Sequence, residues 1–223
     1  MKKYLCLTTI PPRFKNLENI IDSLFNNVND FEKIKIYIPQ KYIRFQNNFS
    51  IPFYLERNPK VKIIICDKDY GPATKFIYPI LFDSDIKDED NIFILDDDNY
   101  KNAGWLDILQ NKLTNNIDCV IQMKYGHILP QIHGVSGFCF NKKLLNTTNF
   151  YNFFTKLPIV LLFIDDDMLS YFLYINNIKI CITNKKINRI YLNTLYGLIN
   201  ERSLLNRPSL RLYAVYYTYN KYN

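Results

Sequence analysis

Three consecutive carboxylates, Asp96, Asp97 and Asp98, stand immediately after the apolar run Ile92-Phe93-Ile94-Leu95. Such a run reads as a buried strand, which puts the acids at its carboxyl end. Side chains alternate along an extended chain, so Asp96 and Asp98 are expected to point one way and Asp97 the other. Like charges at that spacing repel unless a cation lies between them. Carboxylate oxygens suit hard divalent ions such as Mg²⁺ or Mn²⁺, which often complete their shell with substrate phosphates. The competing role is a solvated acidic turn or a helix cap. A second triplet, Asp165, Asp166 and Asp167, heads a segment of helical character over 165–175. Helix geometry spreads three successive side chains roughly 100° apart, so one or two can face a cleft while the rest cap or meet water. A carboxylate facing the cleft could take a proton from a hydroxyl group.

Positive groups lie at comparable positions. Thr74 and Lys75 follow the Gly71-Pro72 turn and begin a predicted helix, where free N–H groups and an ammonium suit a phosphate. An ordinary capped helix with a solvated lysine is the alternative. Arg13 follows Pro11-Pro12 on a stiff loop, an arrangement for bidentate phosphate recognition or simply a surface arginine. Asp67, directly after a strand, could accept from a uracil or a ribose hydroxyl, or serve the turn. Gly134 and Gly137 flank Ser136 in a chain with only 6 glycines in 223 residues. They suggest either close approach of backbone to ligand or tight packing within a strand. His127 and His133 are the two histidines, and His133 reads as structural rather than as a contact to diphosphate or metal.

These residues need a frame that gathers them. Strands are expected at 3–9, 34–38, 61–66, 92–95, 119–123, 135–140 and 178–182. Helices are expected at 14–28, 73–82, 103–113 and 165–175. Alternation of this kind implies a βαβ pattern and a largely parallel sheet. In such sheets ligands bind beyond the carboxyl ends of the strands, where strand order reverses. The loops 8–13, 67–72 and 96–99 are the polar segments at those ends.

The strand that ends in D-x-D resembles the signature of glycosyltransferases with the GT-A fold, and the resemblance covers most of the chain. Thr9-Ile10-Pro11-Pro12-Arg13 resembles the nucleotide-contacting first loop of small members, including those encoded by large DNA viruses. Asp69-Tyr70-Gly71-Pro72-Ala73-Thr74-Lys75 resembles their second donor segment, and His133–Phe138 the glycine-containing segment before the acceptor side. Phe163–Leu169 resembles the acidic helix start that carries the base in inverting members. The resemblance implies an α/β fold, a mixed, mostly parallel GT-A (Rossmann-like) sheet flanked by helices. It implies a single domain over 1–223, with a nucleotide-binding half at about 1–100 and an acceptor half beyond it. Asp98 and Asp96 would hold Mn²⁺ or Mg²⁺. Thr9, Arg13, Asp67, Tyr70, Gly71, Lys75, Asp96, Asp97 and Gly134 would contact a nucleotide-sugar donor, UDP-linked rather than GDP-linked. By the family's register Asp166 would be the base, with Asp165 and Asp167 as close alternates. The acceptor would be a glycan or protein hydroxyl.

Composition bounds these readings. Hydrophobic residues make up 48% and charged residues 22%, which argues against disorder and coiled coil. The longest apolar run, Leu157–Ile164, is far short of the roughly 20 residues of a spanning helix. With no signal-peptide pattern at the start, a cytoplasmic protein is expected, in the host cytoplasm for a viral chain. The five cysteines form no C-x-x-C pair, so neither a disulfide framework nor a zinc site is expected. No G-x-G-x-x-G or Walker pattern is present, so redox-cofactor binding and P-loop chemistry lack support. From Thr183 onward seven basic residues face a single acid, Glu201, which places +6 of the net +7 in the last segment. The rest carries no basic stripe, so nucleic acid is not expected as a partner. The segment 203–219 reads as a helix with a solvated basic face, or as a contact to an acidic membrane surface. Two other readings remain: a non-catalytic nucleotide-sugar-binding domain of a larger enzyme, and a sugar nucleotidyltransferase, whose Gly-rich opening loop is missing here.

Overall fold

The computed structural model describes residues 1–25, 31–45, 49–100, 104–124, 131–186 and 190–191, with the side chains of 99–100, 185–186 and 190–191 not described. The chain begins with β1 (Lys3–Thr8), α1 (Phe14–Phe25), β2 (Lys33–Pro39), α2 (Phe53–Arg57), β3 (Val61–Cys66) and α3 (Thr74–Leu81). It continues with β4 (Asn91–Ile94), β5 (Asn99–Tyr100), α4 (Trp105–Thr114), β6 (Cys119–Lys124) and β7 (Phe138–Asn141). Four helices follow, α5 (Lys142–Leu145), α6 (Thr148–Thr155), α7 (Ile159–Leu162) and α8 (Asp165–Ile175), and then β8 (Lys179–Lys186) and β9 (Ile190–Tyr191).

Seven strands form one sheet in the order β3-β2-β1-β4-β7-β6-β8. All neighbours are parallel except β7, which runs antiparallel to both β4 and β6. Strand alternation builds two cores. Tyr4 and Cys6 of β1 face the layer that includes Phe76, Phe154 and Phe172, whereas Leu5 and Leu7 face Leu17, Ile20, Trp105 and Leu109. Helices therefore cover both faces, as a mostly parallel sheet requires.

Two topological facts position the site. Strand order reverses between β1 and β4, so the loop after Thr8 and the acids after Leu95 emerge side by side. Because β7 is antiparallel and Phe138 pairs with Ile94, the turn before β7 arrives at the same end of β4. Residues 134–136 form that turn, so the strand expected from Val135 begins at Phe138. Gly137 explains the delay: its φ is +84°, and a Cβ there would lie 2.1 Å from Trp105 Cζ2. The apolar run 157–164, too short to span a membrane, folds mainly as the short α7. Pro158 stands at the N-cap of that helix.

Candidate active site

The carboxyl ends of β1 and β4 bring Arg13 onto the first acidic triplet. Thr8 Oγ1 donates to the Tyr37 carbonyl at 2.7 Å, and the buried Thr9 receives the Tyr42 hydroxyl on its carbonyl at 2.8 Å. A 3-10 turn over Pro11–Arg13 then aims the guanidinium across the sheet switch point. Arg13 is ion-paired and hydrogen-bonded to Asp97, and its Nη2 lies 3.6 Å from Asp98 Oδ2. Burial opposes the guanidinium charge, but Asp97 and then Asp98 more than offset it and raise its pKa.

Asp96 goes elsewhere. Its Oδ1 lies 2.6 Å from Lys75 Nζ, which stands equally close to Asp165 Oδ2 and 3.7 Å from Asp166 Oδ1. The triplet does not follow the alternation expected of it, because β4 ends at Ile94 and residues 97–98 already turn. Lys75 is nearly inaccessible, its side chain 3% exposed. Burial alone would lower its pKa, yet Asp165, Asp96 and Asp166 hold it well above the ordinary lysine value. The reverse applies to the acids. Burial raises Asp165 and Asp166, the attraction of Lys75 works against that rise, and Asp96 adds to it. Among the described residues, five carboxylates thus meet on Arg13 and Lys75.

Gly134 is the junction of this array. Its N–H donates to Asp166 Oδ2 at 2.9 Å, and its carbonyl accepts the Asp96 N–H at 3.2 Å. A Cβ at Gly134 would come within 2.6 Å of both Asp96 Oδ1 and Lys75 Nζ. Asp167 is separate: it accepts from the Gln131 amide. Gly71 (φ +60°) packs where a Cβ would meet the Phe163 ring at 3.0 Å, which seats the start of α3 against the approach to α8. Arg44 covers the same ring, 4.9 Å from its centroid.

Other expected residues lie apart from the charge clusters. Tyr70 is buried in an aromatic group, 5.9 Å from Tyr78 and stacked on Phe82 at 6.3 Å. Asp67 is exposed and accepts the Tyr78 hydroxyl. The buried Thr74 accepts the Tyr70 N–H on its hydroxyl at 3.1 Å. His127 and the segment 203–219 fall outside the described residues. Asp69, read from sequence only as the head of the second donor segment, has a role that reading did not give: its two oxygens accept the N–H groups of Gly71 (2.7 Å) and Ile43 (2.8 Å) and clip two loops together. The Asp-x-Gly spacing was its available signal.

A divalent ion is implied by the fold family, and the donor set has the right chemistry: carboxylate oxygens at a strand end, with the Asp96 and Asp98 side chains each 27% exposed. No three such groups are clustered as a ready-made cage among the described residues.

No protein-family model matches the chain, and no curated protein matches it by sequence. Solved structures share its fold. The 2-C-methyl-D-erythritol 4-phosphate cytidylyltransferase of Francisella tularensis aligns over 97% of this chain and 99% of its own, with TM-score 0.53 and 14% identity. S. aureus TarS 1-349 aligns over 84% of this chain with TM-score 0.55 and 13% identity. The mannosyltransferase PcManGT from Pyrobaculum calidifontis, in complex with GDP-Man and Mn²⁺, aligns over 83% with TM-score 0.57 and 12% identity. This chain spans 59% and 56% of the latter two. These likenesses establish the fold class, a mixed, mostly parallel seven-stranded sheet flanked by helices, GT-A or Rossmann-like.

Proposed function

We propose that this chain is a glycosyltransferase that moves a sugar from a nucleoside-diphosphate donor, UDP-linked for preference, to a hydroxyl of a glycan or protein. One observation carries the reading. Two acidic triplets far apart in sequence, one at a strand end and one at a helix start, meet on a single buried lysine. Each has a separate task in such a transfer. Asp98, with Asp96, would hold Mn²⁺ or Mg²⁺. The ion, when bound, offsets charge on the departing diphosphate. Arg13 keeps Asp97 and Asp98 in place at the donor end. Asp166, held by the Gly134 N–H and with its pKa raised by burial, takes the proton from the acceptor hydroxyl as the anomeric carbon is attacked, which gives inversion. Asp165, nearer to Lys75, is the alternate.

Paired variants test this division of labour. Asp98→Ala is expected to weaken UDP-sugar binding in Mn²⁺. Asp166→Asn is expected to leave binding within about twofold and to lower turnover by roughly 10²–10⁴-fold. Near-normal turnover of Asp166→Asn with loss in Asp165→Asn would move the base by one residue. Loss in neither would leave the second triplet as a helix start, with retention of configuration.

The full-length likeness to a cytidylyltransferase favours a second reading, nucleotidyl transfer. The opening loop, Thr9-Ile10-Pro11-Pro12-Arg13, contains no glycine, which argues against a loop wrapped on a triphosphate. Pyrophosphate release from CTP or UTP with a sugar phosphate would favour it. UDP release from a UDP-sugar favours the first, and neither would indicate a binding domain without catalysis.

A further inference from the structure

Gln122 belongs to neither charge cluster, yet it is an amide buried to 1% exposure in β6, next to β7. A buried carboxamide is costly unless its donor and acceptor ends are both engaged. Its Oε1 accepts the His133 N–H at 2.9 Å. Its Nε2 donates to the Met123 carbonyl at 2.8 Å, with the Gly137 carbonyl at 3.3 Å. The amide therefore grips both ends of the turn that carries Gly134. The turn closes on itself through the Ser136 and Gly137 N–H groups, which reach the His133 carbonyl at 3.0 and 3.2 Å. From the helix side, Ser170 Oγ accepts the Ile132 N–H at 2.9 Å and donates to the Asp166 carbonyl at 2.7 Å.

We propose that Gln122 is a positioning residue that aims the Asp166 carboxylate through the Gly134 N–H. This rests on the reading of Asp166 as the base. The Asp166 side chain is 26% exposed, and its other oxygen stands 3.7 Å from Lys75 Nζ, against 2.6 Å for Asp96 and Asp165. The Gly134 N–H is placed to hold it back from a direct contact with the lysine. If the turn drifts, Asp166 closes on Lys75 and leaves the direction from which a hydroxyl would arrive. Misplacement of about 1 Å is enough to cost on the order of 10²-fold in rate.

The chain's six glycines make the test direct, because glycine-selective ¹⁵N labelling gives six amide signals. Loss of one signal in Gly134→Ala assigns Gly134. Gln122→Met keeps length and removes the hydrogen bonds of the amide, while Gln122→Glu retains an acceptor for His133. In Gln122→Met the Gly134 and Gly137 signals should move while Gly71 and Gly104 stay. Asp166→Asn should shift the Gly134 signal in the wild-type background and not in Gln122→Met. Turnover of a UDP-sugar should fall about 30-fold in Gln122→Met, with UDP affinity in Mn²⁺ within twofold, and recover in part in Gln122→Glu. Turnover within twofold of wild type, or a Gly134 signal indifferent to Asp166→Asn, overturns the proposal. If the wild type turns over no nucleotide sugar, the functional reading fails and the glycine signals alone decide on the clamp. If Gln122→Met does not fold, Gln122→Glu and Ser170→Ala decide by the same signals.

Discussion

At the scale of single residues, the three carboxylates that meet on Lys75 have opposite consequences for stability and for chemistry. Asp166 has its pKa raised in the folded state by burial, against the pull of Lys75 and with Asp165 and Asp96 adding to the rise. An acid raised on folding is more favourable to the native state below its ordinary value near 3.8, and that advantage is lost as pH rises through the folded value. Asp166→Asn removes the charge, so it should unfold at higher urea than wild type at pH 7, with the difference narrowing toward pH 4. Equal midpoints at pH 7 would contradict the assigned crowding. Lys75→Met has the opposite sign, since three carboxylates lose their shared cation. Partial exposure of Asp96 and Asp166 discounts the buried-pair figure, and a loss of about 2–3 kcal/mol by urea denaturation is expected. Cys6, its thiol pushed up to about 12 mainly by complete burial, should stay unmodified by thiol reagents in the native protein.

Elements carry these residues, and the turn before β7 is the element on which most depends. Gly137→Ala meets both a left-handed backbone and the Trp105 ring, whereas Gly104→Ala meets a left-handed backbone with no atom of the described residues, its chain neighbours aside, within 4 Å of the added Cβ. The first should cost roughly 2–4 kcal/mol and the second about 1 kcal/mol, compared by chemical denaturation. Similar costs at both positions would remove the packing argument. The strand–helix alternation was legible because buried strands and amphipathic helices write different periods: α8 begins at Asp165, and β3 spans Val61–Cys66, as expected. The turn was less legible. A glycine with positive φ just before an apolar run, as Gly137 before Phe138-Cys139-Phe140, looks the same in sequence as one inside a strand. The distribution of the first triplet was also hidden, because alternation holds only while the chain stays extended and β4 stops at Ile94. Helix α6, Thr148–Thr155, went unread: its Asn- and Phe-rich composition carries no clear helical preference, and tertiary packing of Phe150, Phe153 and Phe154 decides it.

Across the whole molecule, charge is sorted by position. Negative charge collects at the carboxyl ends of the central strands, and +6 of the net charge belongs to the last 41 residues, mostly beyond those described. No helix among the described residues is long and apolar enough to cross a membrane. Among the described residues five carboxylates gather on Arg13 and Lys75, and a divalent ion would offset their repulsion of the proposed nucleoside diphosphate, itself an anion. Metal-dependent donor binding is therefore the central claim, and calorimetric titration of UDP into wild type and Asp98→Ala, each with Mn²⁺ and with chelator, tests it most directly. The wild type should bind at least about tenfold more tightly with Mn²⁺, a difference of about 1.4 kcal/mol, and Asp98→Ala should show no such gain. Equal UDP affinity of the wild type with and without the metal would contradict the account.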